Sequence, residues 1–513
     1  MKNRKRLLFS LVIVIAITLI AAGLVLGTQR AKPTSGVLTL ALSDQQHATS
    51  NEQQVTSNEY IFGVQMRDQI DESQGLAQAV TAGVRWVRVN LSWREIEPEW
   101  TDPPTYHWER YDTMFDNAAQ AGLRVIATIR DNPTWAAETI CGPIASDRLP
   151  DFARFLTDLA ARYGEEPYHI YHWELYNEPD NTDLKHHVFI GGCWGEHPEA
   201  YVEMLKTAYP AIKAGNPKAQ VLFGGIAFES WPGSPFAPDF LEQVLKADAG
   251  DYFDVMNFHY YPAFAETWNP YGPGVRGKAA YMRQELARFG LDKPLVLTEV
   301  GQPTAGPAED NQNYSDLSSA RQVVRAFVQG YAADLQVVIW FTMVDYPPDP
   351  RKYGLLHADL TPKPAYRAYV ILTRQLAGQR YVRPLEAAEL GADDLEGYLF
   401  RDVTGSGGDM VVVWANGEAE RPLRLVGKAV QVTHWDGATR QIVDDSSDDQ
   451  DGRADGIVTM LVGADLGHSP HTTAGHPLRL HPGDDGHQFL RLKPGTFSVN
   501  WVNVCLYSPS IVG

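Results

Sequence analysis

Between residues 60 and 376 the chain alternates two hydrophobic rhythms. Short runs rich in β-branched and aromatic residues fall at Ile61–Met66, Val84–Leu91, Leu123–Ile129, His169–Tyr176, Gln220–Ile226, Tyr252–Phe258, Pro294–Val300 and Gln336–Met343. Between them lie longer stretches whose apolar positions recur every three to four residues: Glu72–Ala82, Glu109–Ala121, Asp151–Tyr163, Pro198–Ala214, Pro238–Ala247, Lys278–Phe289, Ser315–Ala333 and Pro364–Leu376. The first rhythm is that of buried strands and the second that of amphipathic helices. Parallel strands need crossovers of this length. The alternation therefore predicts a (β/α)8 barrel of the TIM type, an α/β fold, over residues 59–378. An open doubly wound sheet is the rival, but no G-x-G-x-x-G follows the first strand.

The helical rhythm stops near Gly378. Strand-like pieces at Met410–Ala415, Leu423–Val426, Val430–Trp435 and Ile457–Val462 follow, separated by Gly, Asp and Pro turns. They predict a small all-β, sandwich-like domain over 379–513, whose last part, His468–Gly513, shows no assignable period. We read this domain as a buttress for the barrel rather than a separate carbohydrate-binding module. The acidic run Asp444–Asp455 lacks the ligand spacing of a calcium loop and reads as solvated.

At the other end, Lys2, Arg4, Lys5 and Arg6 precede 21 residues without charge, Leu7–Gly27. That length crosses about 30 Å of hydrocarbon as a helix. It exceeds an ordinary secretory apolar core and has no clear small-residue cleavage site. Residues 1–27 are thus expected to be a transmembrane helix with its basic end cytoplasmic, or a signal segment if cleaved. Residues 28–58, rich in Ser, Thr, Gln and Asn, read as a flexible stalk. Either way the barrel is expected outside the cytoplasm.

Composition narrows the chemistry. The formal charge of −19 argues against a nucleic-acid partner. Aromatics reach 11%, with 13 Trp and 23 Tyr; most belong to the core, but such rings also form flat platforms for sugars. The three cysteines, Cys141, Cys193 and Cys505, permit one bridge and contain no zinc-type pair.

Active sites of such barrels lie at the C-terminal ends of the strands. The fourth strand runs into Trp173-Glu174-Leu175-Tyr176-Asn177-Glu178-Pro179, and the seventh into Leu297-Thr298-Glu299-Val300-Gly301. Strands four and seven face each other, so Glu178 and Glu299 converge over the barrel mouth. Two carboxyl groups with unequal proton affinities are what glycoside hydrolysis requires. Glu174, four residues earlier, is expected to be structural or to point outward. Cys141 and Cys193 fall in the loops after strands three and four and form the disulfide candidate.

These motifs resemble glycoside hydrolase clan A. The resemblance rests on Asn177-Glu178-Pro179 and Thr298-Glu299, with Asp131-Asn132-Pro133-Thr134-Trp135 after the third strand and His259-Tyr260-Tyr261-Pro262 at the sixth. It also draws on Trp340 on the eighth, then Tyr353-Gly354-Leu355-Leu356 and Pro362-Lys363-Pro364-Ala365-Tyr366. It covers about 58–378 and is strongest to family 39 (β-xylosidase-like), with relatives in families 5 and 30. It implies a retaining O-glycosyl hydrolase with Glu178 as acid/base and Glu299 as nucleophile. It further implies that Asn177 bonds the sugar 2-hydroxyl and that Arg88 sits beneath Glu299. His259 and Tyr261 would bond near the nucleophile, Trp340 would floor the −1 subsite, and Asn132 and Trp135 would reach the substrate from the third loop. The partner is then a carbohydrate, with no metal or organic cofactor. A catalytically silent sugar-binding barrel and a transglycosylase are the alternatives. Sugar, linkage and oligomeric state are open.

Overall fold

The computed structural model describes residues 61–182, 194–228, 234–306, 314–403, 409–416, 419–462 and 503–507. The expected anchor and stalk, 1–58, lie outside the described residues. Among those described, no helix is long and apolar enough to cross a membrane.

Eight strands alternate with eight helices. In chain order they are β1 (Phe62–Gln65), α1 (Leu76–Thr81), β2 (Trp86–Ser92), α2 (Glu109–Gln120), β3 (Arg124–Arg130), α3 (Leu149–Gly164), β4 (His172–Leu175) and α4 (Pro198–Gly215). Then follow β5 (Gln220–Leu222), α5 (Phe240–Lys246), β6 (Met256–Tyr260), α6 (Gly274–Arg288), β7 (Leu295–Val300), α7 (Asp316–Ala332), β8 (Leu335–Trp340) and α8 (Pro364–Leu376). The strands form one sheet in the order β5-β4-β3-β2-β1-β8-β7-β6. Isolated parallel bridges Leu222↔Val255 and Ile226↔Phe258 join its two ends, the arrangement of a (β/α)8 barrel. Each helix lies close to its predicted span. Local signals explain the ends: Pro198 and Pro364 stand in first turns, and the Ser315 hydroxyl caps α7 by accepting from the Ser318 N–H at 3.0 Å.

Alternate strand residues face outward and inward. The outward set, such as Val87, Val89, Leu91, Leu297 and Trp340, joins the helices in the main apolar core. There α3 contributes Phe152, Phe155, Leu156 and Leu159, each stabilising by about 1.5–3 kcal/mol on burial. The inward set begins with an apolar plug of Trp86, Ile126, Leu222, Val255, Val296, Val337 and Ile339. Two residues further along the strands the interior turns polar.

Beyond α8 come β9 (Gln379–Leu385), β10 (Leu395–Asp402), β11 (Met410–Ala415), β12 (Arg421–Val426), β13 (Ala429–His434), β14 (Thr439–Val443), β15 (Ile457–Val462) and β16 (Asn503–Tyr507). A six-stranded sheet, β14-β13-β16-β11-β10-β9, and a two-stranded sheet, β12-β15, share one apolar cluster that includes Val411, Leu423, Val432 and Met460. The stretch without sequence period thus supplies a central strand: β16 runs parallel to both β11 and β13. Tyr398, Phe400 and Trp414 belong to the barrel's own core, and Gln329 of α7 donates to Glu396 at 2.8 Å. In the acidic run, Asp444 and Asp449 accept backbone N–H groups of their own loop and its neighbours.

Candidate active site

Two local departures from regular strand bring the two glutamates inward. On β7, Phe258 pairs with Leu297 but His259 pairs with Glu299, so Thr298 is an extra residue. This bulge lets Thr298 and Glu299 both face the barrel axis, where strict alternation would turn one away. After β4, Tyr176 and Glu178 adopt φ of +65° and +45°. These sparsely populated conformations break the alternation and swing Asn177 and Glu178 over the mouth. Gly225 makes room beside them. A Cβ there would stand 2.2 Å from His259 Nε2, and its N–H donates to Glu174 at 3.0 Å. β5 itself ends at Leu222, short of its hydrophobic run.

Beneath the mouth, Arg88 is fully buried and spans both acidic strands. Its Nε and Nη2 donate to Glu174 at 2.6 and 2.8 Å, Nη1 donates to Glu299 at 2.6 Å, and Nη2 also reaches Asn177 Oδ1 at 2.6 Å. Burial alone would lower its pKa, but the charges of Glu174 and Glu299 outweigh burial and raise it. Glu174 points inward and is structural: it also accepts from Thr128 at 2.7 Å and Asn257 at 2.9 Å. Tyr261 donates to the other oxygen of Glu299 at 2.8 Å. Its phenol pKa is raised well above the ordinary range by burial, then by Glu299, so it stays a donor. His259 lies 3.0 Å from Glu178 through Nδ1 and 3.2 Å from Thr298 through Nε2. Burial, then Arg88, hold its pKa well below the ordinary 6.5, so the ring is neutral.

Glu178 and Glu299 are each 8% exposed and both line one open cavity of about 640 Å³, a size suited to a small ligand. One donor atom each from Glu178, His259 and Glu299 falls within 4.8 Å of the others. Among the described residues this is the one group close enough to hold a cation. The same closeness lets two carboxyl groups act on a single atom between them.

Four of the substrate-binding residues expected from sequence, Arg88, Asn177, His259 and Tyr261, meet around this pair. Three do not. Asn132 is buried away from the cavity, donating to the carbonyls of Thr139 and Gly142 and accepting from Tyr176 at 2.5 Å; it braces the third loop. Trp135 donates to the Glu97 carbonyl and packs edge-on against Trp93. Trp340 is fully buried on the outward face of β8 and donates to the Tyr353 carbonyl. The inward series on β8 is Val337, Ile339, Phe341, so Phe341 faces the cavity. Trp194 is packed between Tyr176 and Tyr201. Cys141 is disulfide-bonded; Cys193, its expected partner, lies outside the described residues. The cavity residues missed from sequence include Gln65, Arg67, Arg130, Phe341, Tyr346 and Tyr353. Strand parity was the signal available for Gln65, Arg130 and Phe341. The others stand on loops and carried none.

Comparison with known proteins agrees with this geometry. Residues 45–340 match the family model described as Cellulase (glycosyl hydrolase family 5), more than half of the chain. No curated protein sequence matches. A family 39 glycoside hydrolase from the gut symbiont Bacteroides cellulosilyticus WH2 shares the fold at 19% identity and TM-score 0.58, covering 78% of each chain. A family 30 endoxylanase from Clostridium papyrosolvens C71 does so at 13% identity and TM-score 0.51, over 78% of this chain and 93% of its own. A glucosidase from Croceicoccus marinus aligns at 16% identity and TM-score 0.50, over 72% of this chain and 87% of its own. The motif-based likeness to clan A and its families 39, 5 and 30 is thus found again by sequence model and by fold.

Proposed function

We infer that this chain, which belongs to the Cellulase family, glycosyl hydrolase family 5, is a retaining O-glycosidase acting on an oligo- or polysaccharide through Glu178 and Glu299. One observation carries the reading: the nearest donor atoms of the two carboxyl groups lie within 4.8 Å. A pair this close suits attack by one carboxylate while the other protonates the leaving oxygen, the division of labour of retaining enzymes. Their meeting in an open cavity favours catalysis over a silent sugar-binding barrel.

The surroundings divide the roles. Arg88 and Tyr261 each donate to one oxygen of Glu299, which orients it as the nucleophile. Glu178 faces a neutral imidazole. Thr298 donates to Asn257 at 2.9 Å, so its lone pairs accept from His259 Nε2–H, leaving Nδ1 as an acceptor for a protonated Glu178. In the first step a Glu299 oxygen attacks the anomeric carbon while the bond to the aglycone oxygen breaks. Glu178 gives its proton to that oxygen. In the second, Glu178 takes a proton from water, the water oxygen attacks the same carbon, and Glu299 is released. Asn177, held by Arg88, is placed to meet the 2-hydroxyl. The basic-then-apolar residues 2–27 and the disulfide at Cys141 support an extracytoplasmic enzyme, tethered to the membrane or secreted if that segment is cleaved.

A screen of aryl glycosides supplies a substrate pair for the test. Glu178→Ala should lose about 10²–10⁴-fold in kcat/KM on poor leaving groups, yet keep near-normal glycosylation on a dinitrophenyl aglycone. Equal losses on both would contradict the acid role.

A further inference from the structure

Resting on that glycosidase reading, we propose that the substrate is an acidic glycan, with a carboxylate or sulfate group of a bound sugar received by Arg67. Arg67 stands just past β1 at φ +50°, and its carbonyl accepts the Asn90 N–H at 2.6 Å. Its guanidinium carbon lies 4.2 Å from the Tyr346 ring centre and 5.3 Å from that of Phe341. All three residues line the cavity of the two glutamates. The Nε atom is buried without a hydrogen-bond partner, and among the described residues no acid pairs with this side chain. Nε is closed off from a ligand as it is from solvent, but the side chain as a whole is only partly buried and lines the cavity, so the guanidinium can meet a ligand oxygen through its terminal nitrogens.

The charge balance of the cavity points the same way. Its three carboxylates are engaged: Glu299 by Arg88 and Tyr261, Glu178 by His259, and Asp349 by the Arg351 N–H. Arg130, which also pairs with Asp131 at 3.1 Å, and Arg351 line the same space. A chain of net charge −19 thus sets four arginines, Arg67, Arg88, Arg130 and Arg351, against three acidic side chains on the wall of this cavity. A guanidinium suits the planar, two-pronged oxygen pair of a carboxylate, and also a sulfate. Its distance from the chemistry is set by packed rings. Phe341 touches Tyr353 (5.4 Å between ring centres), Tyr353 touches Tyr261 (5.8 Å), and Tyr261 donates to Glu299. Arg67 thus recognises the sugar from the same wall that holds the nucleophile, without touching the reacting atoms.

The test compares matched polymers. The full chain is assayed on glucuronoxylan, alginate, hyaluronan and carrageenan. Each is set beside its neutral twin, made by carboxyl reduction or desulfation with linkages preserved. The proposal expects kcat/KM to favour an acidic form by about tenfold or more, as for one charge-assisted contact. Arg67→Gln should erase most of that preference and Arg67→Lys should restore part of it. The carboxylated and sulfated series tell the two anions apart. Equal or better cleavage of the neutral twins overturns the proposal. So does an Arg67→Gln variant that loses both forms equally, because the arginine then only packs between rings. Cleavage of neither form in any series, while the aryl-glycoside screen finds activity on neutral sugars, also overturns the proposal; no activity in either assay removes the glycosidase reading itself, and so is distinguished from failure of this one.

Discussion

The two layers inside the barrel come from the same strands, two residues apart. On β2 the lower layer has Trp86 and the upper Arg88; on β3, Ile126 and Thr128; on β7, Val296 and Thr298; on β8, Ile339 and Phe341. Below, the side chains form one apolar cluster, and stability depends on volume. Above, nearly every group is charged or hydrogen-bonded to another in the set. A buried charge is tolerated only when paired. Arg88 therefore needs Glu174 as a permanent counter-ion, which lets Glu299 keep one oxygen toward Tyr261 and the cavity. The contrast shows that one layer closes the barrel and the other spends a polar network on orienting two carboxyl groups.

The sharpest way to break the contrast is to remove the permanent counter-ion. Glu174→Leu leaves Arg88 with only Glu299 and should cost about 3–5 kcal/mol of stability. It should also lower kcat about 10²-fold through misplaced groups. Thermal unfolding and steady-state kinetics measure both. If kcat stays normal in the folded variant, the upper layer does not position the site.

A cut in the lower layer should do the opposite. Ile339→Ala removes buried methylenes and should cost about 2–4 kcal/mol with kcat unchanged at temperatures where the variant is folded. A parallel loss of kcat would show that the two layers are not separable.

The smallest effect sharpens the boundary between inward and outward positions. Phe341→Ala should raise KM by roughly tenfold through loss of a ring from the cavity wall. Trp340→Phe should alter stability and leave KM alone. A KM change from Trp340→Phe instead would place the wrong ring on the sugar.

Much of this fold was legible in the sequence because eight strands buried on both faces and eight amphipathic helices give strong, distinct periods. Glu178 and Glu299 were legible because one stands just past the end of β4 and the other near the end of β7. What sequence missed has physical causes. Trp340 and Phe341 are adjacent, so a one-residue difference decides which faces the sugar, and the inward series Val337, Ile339, Phe341 was the signal. Asn132 resembled a family position, but a side chain beside a loop is as easily taken by the loop's own carbonyls. The bulge at Thr298 and the left-handed Tyr176 depend on tertiary packing and leave no local pattern. Strand β16 pairs across a long sequence gap, which no periodicity reports.

The central claim is a covalent intermediate on Glu299. The direct measurement uses the 2-deoxy-2-fluoro, activated form of whichever sugar the aryl-glycoside screen selects, followed by peptide mass mapping. The account predicts one glycosyl unit added to the peptide that carries Glu299, and no label on Glu299→Ala. A label on another residue, or turnover that inverts the anomeric centre with no covalent species, would contradict it.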